Sequence, residues 1–334
     1  MVNVSLICTV LNEGPALEKL LNSLVEQSRQ PDEIIVVDGG STDDTVAVLH
    51  QYAERHQLPL RVIVSPNANI SRGRNIAIEA AAGPVIASTD AGVRLDPQWL
   101  EKLIAPFEKA SPPSVVSGFF VPDPQSTFEV AMGATVLPLV SDIKPDTFLP
   151  SSRSIAFLKS CWAAAEGYPE WLDYCEDLIF DFRLRDMCGP FIFEPEALVY
   201  FRPRSSLEAF FKQYYRYSRG DGKSDLWRKR HAIRYTTYLV ALPALIMLGL
   251  RASRWWWFIG GVVGFVGMFG TPYRRLRLGW TRLSFAEKAL AAFWVPVIRI
   301  TGDIAKMIGY PIGWKWRLKR ISSQPHLRWR SKMR

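Results

Sequence analysis

Glu33-Ile34-Ile35-Val36-Val37-Asp38-Gly39-Gly40-Ser41-Thr42-Asp43 decides the fold. Four consecutive β-branched residues predict a strand buried on both faces, because a strand with one wet face would alternate. The run stops at a carboxylate and two glycines, the composition of a tight turn. Ser41-Thr42-Asp43-Asp44 then offers oxygens to cap a helix predicted over Thr45–His56. Upstream, Val4–Val10 is a similar apolar strand ending at Asn12-Glu13-Gly14, and Leu17, Leu20, Leu21 and Leu24 mark a helix ending near Gln27. Downstream, Arg61–Ser65 predicts a third strand, Arg72–Ala82 a helix, and Val85–Ser88 a fourth strand leading to Thr89-Asp90. Strands and helices alternate with short joints, which predicts an α/β, Rossmann-like domain: a mostly parallel sheet with helices on both faces. Ligands of such sheets sit beyond the carboxyl ends of the strands. This chain puts Asn12, Glu13, Asp38 and Asp90 there.

After about residue 96 the alternation fades, Pro112-Pro113 interrupts the chain, and residues 115–200 read as short mixed segments that complete the same domain. The charge then changes sign. The 334 residues include 41 Lys+Arg and 32 Asp+Glu; residues 1–200 hold 14 and 27 of them, residues 201–334 hold 27 and 5, with nine of the twelve tryptophans. Two charge-free runs, Tyr235–Leu250 and Trp255–Tyr273, lie among these basic residues. Lys, Arg and Trp beside apolar runs address a bilayer. A nucleic-acid reader would instead spread its basic residues over a soluble face, so no nucleic-acid partner is expected. The runs predict a transmembrane hairpin turned at Arg251 and Arg254, or two interfacial helices, with cytoplasmic flanks at Arg228, Lys229, Arg230 and Arg234 and at Arg274, Arg275 and Arg277. Within 289–314, Arg299, Asp303 and Lys306 share one helix face, which predicts an amphipathic helix in the membrane plane before a basic tail, 315–334. The expected division is a catalytic domain over 1–225 and a membrane-associated helical region over 226–334.

Cys8, Cys161, Cys175 and Cys188 form no C-x-x-C pair, and no signal peptide precedes them. No disulfide framework is expected, and the soluble part should face a reducing cytosol. Four scattered histidines leave zinc hydrolysis and Ser-His-Asp chemistry little to work with, so catalysis must run on carboxylates. Asp38, at a strand end before glycines, suits hydrogen bonds to a base or ribose, and equally the capping of its own turn. Asp90 suits Mg²⁺ or Mn²⁺ held together with substrate phosphates, or a turn cap. Glu176-Asp177 lies among apolar and aromatic residues, where carboxylates are costly to bury; it suits a general base towards a hydroxyl, or ion pairs with Arg183 or Arg185. Gln213-Tyr214-Tyr215-Arg216-Tyr217 offers an arginine for a diphosphate or lipid phosphate, or forms a juxtamembrane basic helix.

In this order the motifs resemble those of family 2 glycosyltransferases, inverting enzymes of the GT-A fold that use nucleotide sugars. The resemblance covers roughly residues 4–225. It is carried by Val4-Ser5-Leu6 leading to Asn12-Glu13, by Glu33–Asp38 with Gly40-Ser41-Thr42-Asp43, by Arg74-Asn75 with Ala77, and by Asp90, Glu176-Asp177 and Gln213 with Arg216. It implies Asp38 at the nucleobase, Asp90 at the ribose, diphosphate and metal, and Asp177 as catalytic base. It further implies Asn12, Glu13 and Arg74 at the donor, with Gln213 and Arg216 closing over the donor or the acceptor sugar. The implied partners are a UDP- or GDP-sugar, Mg²⁺ or Mn²⁺, and a lipid-linked or other membrane acceptor. The implied place is the cytoplasmic membrane, with the catalytic domain facing the cytosol. Polyprenyl phosphate as acceptor, or a catalytically silent relative serving as scaffold or sensor, is the alternative. Three positions depart from the family pattern. Gly39 replaces a second Asp after Asp38; Gly92 replaces the second Asp of D-x-D, which leaves Asp90 alone as protein ligand; and Tyr217 ends the Q-x-x-R-W motif, which points to transfer of one sugar rather than polymerisation.

Overall fold

The computed structural model describes residues 2–332. Its strands are β1 (Val4–Val10), β2 (Glu33–Asp38), β3 (Leu60–Val64), β4 (Val85–Ser88), β5 (Val93–Leu95), β6 (Val115–Pro122), β7 (Ile155–Leu158) and β8 (Ile192–Phe201). Its first six α-helices are α1 (Leu17–Val25), α2 (Thr45–His56), α3 (Ile70–Ala80), α4 (Trp99–Ile104), α5 (Thr127–Val136) and α6 (Lys159–Ala164). Then follow α7 (Glu176–Cys188), α8 (Leu207–Ser224), α9 (Arg228–Thr236), α10 (Leu242–Arg251), α11 (Trp255–Leu278) and α12 (Phe285–Leu318). They make two compact units. One is the chain up to Val121 with Val140–Phe201; the other is Pro122–Leu139 with Arg202–Ser331.

The first unit is built on one eight-stranded sheet in the order β3-β2-β1-β4-β7-β6-β8-β5. β1 pairs parallel with β2 and β4, and β2 with β3. β7 runs antiparallel to β4 and β6, and β5 antiparallel to β8. The sheet is therefore mixed rather than mostly parallel. Antiparallel neighbours need no crossover helix, which is why the strand–helix alternation fades after residue 96. Along β1 and β2 side chains alternate between two apolar layers. Leu6, Cys8, Ile34 and Val36 meet the leucines of α1 and Trp99 and Leu100 of α4; Ile7, Ile35 and Val37 meet Ala77 and Ile78 of α3 and Phe180 and Leu184 of α7. Helices thus cover both faces, as the unbroken apolar runs require. Cys161 of α6 and Cys188 of α7 are joined by a disulfide, Cα atoms 6.1 Å apart, which corrects the expectation from spacing alone. A disulfide needs Cα atoms within about 4.4–6.8 Å, and the fold brings this pair together across 27 residues.

The second unit is built from helices. Its tightest joint is between α8 and α12, where glycines let two backbones touch: a Cβ at Gly309 or Gly313 would fall on the carbonyl of Tyr215 or Arg219, and one at Gly222 on that of Tyr310. α12 is longer than the expected stretch. Asp303 is buried and accepts from Arg234 Nε at 2.7 Å and Tyr238 Oη at 3.1 Å, with Arg299 at 3.3 Å. Phe293, Ile300, Ile304, Ile308 and Ile312 are exposed instead. Asp303 thus pairs with Arg234 of α9 and with Arg299 of its own helix, Lys306 lies over the Tyr214 ring of α8, and an apolar side of α12 is the exposed one. α9, a π-helical stretch over Thr237–Ala241 and α10 run on as one helix, Arg228–Arg251, which is long and apolar enough to cross a membrane. Among the described residues it is the one helix that qualifies. In α11, where a second span was expected, Trp255–Trp257 and a series of glycines dilute the hydropathy.

Candidate active site

Parallel pairing brings the carboxyl ends of β1, β2 and β4 to one edge of the sheet. The loops that follow β1 and β2 are tied to each other. Asn12, in the left-handed region at φ +52 where asparagine is tolerated, donates its N–H to Ser41 Oγ at 2.8 Å, and its Oδ1 accepts from the Thr42 N–H at 2.8 Å. The N–H groups of Glu13 and Gly14 both donate to Thr45 Oγ1, each at 2.9 Å, which fastens the β1 loop to the start of α2. A cavity of about 210 Å³ opens between these strand ends, lined by Thr9, Glu13, Gly39, Ala68, Asn69 and Gly73 among others. Asp38 is 1% exposed; its Oδ2 accepts from the N–H groups of Gly40 and Ser41, each at 2.9 Å, and its Oδ1 from the Ser41 hydroxyl. It shapes the turn beside the cavity, and Gly40 closes that turn at φ +99.

Arg74 is the hub of the acid cluster. Gly73 lets α3 lie hard against β1, since a Cβ there would stand 2.8 Å from Thr9 Cγ2, and so sets the next residue in place. Arg74, 3% exposed, donates through Nη1 to Glu176 Oε1 at 2.9 Å and through Nη2 to Asp90 Oδ1 at 2.8 Å, over the Tyr168 ring. The ion pair that was the alternative reading of Glu176-Asp177, with Arg183 or Arg185, is for Glu176 made instead by an arginine about a hundred residues earlier in sequence. Asn75 next to it fastens the loop before α7: its Oδ1 accepts from the Tyr168 N–H at 2.8 Å and its Nδ2 donates to the Tyr168 carbonyl at 2.9 Å. Asp177 is partly buried in the first turn of α7, with Oδ1 accepting from the Leu178 N–H at 2.8 Å. The residue before this helix, Cys175, is held at φ +66. Such a conformation is costly for a residue with a Cβ, and it clusters at functional sites.

Burial sets the electrostatics. It pushes the Glu176 carboxyl up to about 7, with help from the Asp177 charge and against Arg74. It raises Asp177 as well, with Arg74 opposing most strongly and Arg153 more weakly. Asp181, one helical turn beyond, is held well above the ordinary carboxylate range by burial and by Asp177. Neither Asp181 nor Arg153 was singled out by sequence. The four-residue spacing from Asp177 to Asp181 was a usable signal, since it puts both on one helix face. Arg153, a single arginine in Pro150-Ser151-Ser152-Arg153-Ser154, offered none. Its Nε lies 3.6 Å from Asp90 Oδ2.

Asp90 thus accepts a hydrogen bond from Arg74 at Oδ1, has the Arg153 charge 3.6 Å from Oδ2, beyond hydrogen-bond distance, and Gly92 brings no side chain. Among the described residues no three His, Cys, Asp or Glu side chains gather as a metal site. The residues present do not fit the Mg²⁺ or Mn²⁺ expected from the sequence: they offer such an ion one carboxylate, whose charge two arginines already offset. Gln213 and Arg216 lie on α8 in the second unit; Gln213 donates through Nε2 to Tyr217 Oη at 2.7 Å, and Arg216 is exposed.

Residues 5–148 match the family model described as Glycosyl transferase family 2. The chain is 34% identical over 101 residues to an uncharacterized glycosyltransferase, YibD, of Escherichia coli, a match covering 30% of this chain and 29% of that one. It is 28% identical over 113 residues to dodecaprenyl-phosphate galacturonate synthase of Rhizobium johnstonii, covering 32% and 33%. The chain spans 26% to 34% of the length of the curated relatives it matches. In structure it is similar to a mannosyltransferase, PcManGT, of Pyrobaculum calidifontis solved with GDP-Man and Mn²⁺: TM-score 0.56, 18% identity, 95% of this chain and 87% of that one. That likeness is one of fold. The match over residues 5–148 and the likeness of fold together support a family 2 glycosyltransferase on a GT-A fold.

Proposed function

We propose that the chain is an inverting glycosyltransferase. In this reading it moves one sugar from a UDP- or GDP-sugar to a hydroxyl of a lipid-linked saccharide or other membrane acceptor, in cell-envelope or exopolysaccharide synthesis. The observation that carries the reading is Asp177, a carboxylate of raised pKa at the start of α7, beside Asp90 and Glu176 in a family 2 domain. Raised basicity suits a group that must take a proton near neutral pH. In a direct displacement the acceptor oxygen bonds to the anomeric carbon while the bond from that carbon to the diphosphate oxygen breaks. The bonding pair leaves with the nucleoside diphosphate, and the acceptor's proton passes to Asp177. Asp38 and the adjoining cavity take the nucleoside, and Gln213 and Arg216 act on the donor or the acceptor sugar.

Residues 1–225 carry this chemistry in our reading, and residues 226–334 hold the chain at the cytoplasmic membrane with the catalytic part towards the cytosol. The apolar helix Arg228–Arg251, begun by three basic residues and His231, supports this orientation. A second acceptor, polyprenyl phosphate itself, is favoured by the relative named as a dodecaprenyl-phosphate galacturonate synthase. Such an acceptor arrives as an anion and needs no base.

The test is nucleoside diphosphate release by the detergent-extracted chain from UDP- and GDP-sugars, with membrane lipid extract as acceptor. Transfer to a hydroxyl predicts that Asp177→Asn loses about 10²-fold or more in rate. A near-normal rate in that variant selects the lipid phosphate. No release from any donor sinks the enzyme reading and leaves a silent relative.

A further inference from the structure

We propose that Arg153, not a divalent ion, holds the donor diphosphate and carries the charge of the leaving group. The proposal rests on the glycosyltransferase reading and goes beyond it, because it assigns the diphosphate to a side chain outside every motif that carries the family resemblance. Arg153 is a fixed arginine. The residues on either side are buried and bonded: the Ser152 and Tyr168 hydroxyls are 3.0 Å apart, and Ser154 Oγ donates to the Ala197 carbonyl at 3.0 Å while accepting from Trp99 Nε1 at 2.8 Å. The guanidinium carbon stands 4.5 Å from the Phe201 ring centre and 5.3 Å from that of Phe120, so the aromatic faces hold the group without using its donors.

Those donors are what the site has to offer a phosphate. The approach to Asp90 at 3.6 Å is longer than a hydrogen bond, and the buried Nε has no hydrogen-bond partner. Such an orphan buried donor is costly unless a ligand fills it. The charge of Arg74, by contrast, is already divided between Asp90 and Glu176 at hydrogen-bond distance. The Arg153 side chain keeps 20% of its surface open, so its tip is reachable. At Gly92, where a second metal ligand would stand, the space a Cβ would enter is empty to 4 Å. A planar guanidinium matches two phosphate oxygens at once. A fixed cation where negative charge develops lowers the barrier without any metal.

The experiment is calorimetric titration of UDP and GDP, and of uridine and guanosine, into the full-length detergent-extracted protein in EDTA and in Mn²⁺, with wild type, Arg153→Gln and Arg153→Lys. The proposal expects one nucleoside diphosphate to bind wild type equally well, within about threefold, in both buffers. It expects Arg153→Gln to weaken that binding about tenfold or more, Arg153→Lys to recover part of it, and the matching nucleoside to bind all three proteins alike. Binding that requires Mn²⁺ overturns the arginine proposal and leaves the donor reading standing. So does an equal loss of nucleoside and nucleoside diphosphate in Arg153→Gln, which marks a structural role. No binding by any nucleotide in either buffer defeats the donor reading itself, and the arginine proposal with it.

Discussion

Asp181 is 2% exposed, and its Oδ2 has no hydrogen-bond partner, so its ionised form is expensive in the native state. Its carboxyl is held well above the ordinary range, so the folded chain binds that proton more tightly than the unfolded one. The resulting stability is fully present below the ordinary carboxylate range and is lost as pH rises through the native value. Asp181→Asn is therefore expected to raise Tm at pH 8 by about 1–2 °C, the effect of ~1 kcal/mol in a chain of this size, and to bring no gain near pH 4. A fall in Tm at both pH values in scanning calorimetry would show that the carboxylate is needed where it stands. The same upward shifts at Glu176 and Asp177 place the acid limb of the donor-transfer profile above the ordinary carboxylate range. kcat/KM against pH should fall as pH drops through that limb, since the protonated Asp177 cannot act as base. At this scale Asp38, Asp90 and Glu176-Asp177, though not Asp181, were legible as candidates, Asp38 and Asp90 because each follows an apolar run. Their partners were not: Arg74 joins Asp90 and Glu176 across 16 and 102 residues, a distance no local pattern encodes.

Among helices the same substitution should have opposite signs at two places. Gly313→Ala drives a methyl onto the Arg219 carbonyl between α8 and α12, where neither backbone can yield cheaply, and is expected to cost about 1–3 kcal/mol. Gly261→Ala in α11 meets nothing within 4 Å and should gain up to about 1 kcal/mol from helix propensity. Thermal unfolding of both variants in one detergent checks the pair; two losses of equal size would refute the close α8–α12 contact. Element existence was largely readable in the first unit: α2 runs Thr45–His56 as the capping residues before it suggest, with Asp43 Oδ1 accepting from the Thr45 N–H, and α3 starts two residues earlier because Asn69 Oδ1 caps the Arg72 N–H. In α12 periodicity gives the spacing of the charged residues and not their partners. Asp303 is buried against Arg234 and Arg299, and the isoleucines are exposed.

For the whole molecule, the basic second half and the exposed apolar residues of α9 to α12 predict strong association with anionic vesicles. In flotation assays the chain should rise with such vesicles and remain with them through 1 M salt (Debye length about 3 Å) and through alkaline carbonate. Release by salt alone would mean that charge, not the Arg228–Arg251 helix, holds it there. The mixed sheet has a consequence of another kind. β4 is paired on one side by β1 as soon as it is made, but its other edge is satisfied by β7, synthesised about 70 residues later. At the roughly 5–20 residues per second of translation, that edge stays open for about 4–14 s. An open strand edge is a template for pairing with a second chain. Elongation that slows between residues 88 and 155 thus lengthens the interval in which nascent chains on one messenger can pair wrongly, and faster elongation there shortens it.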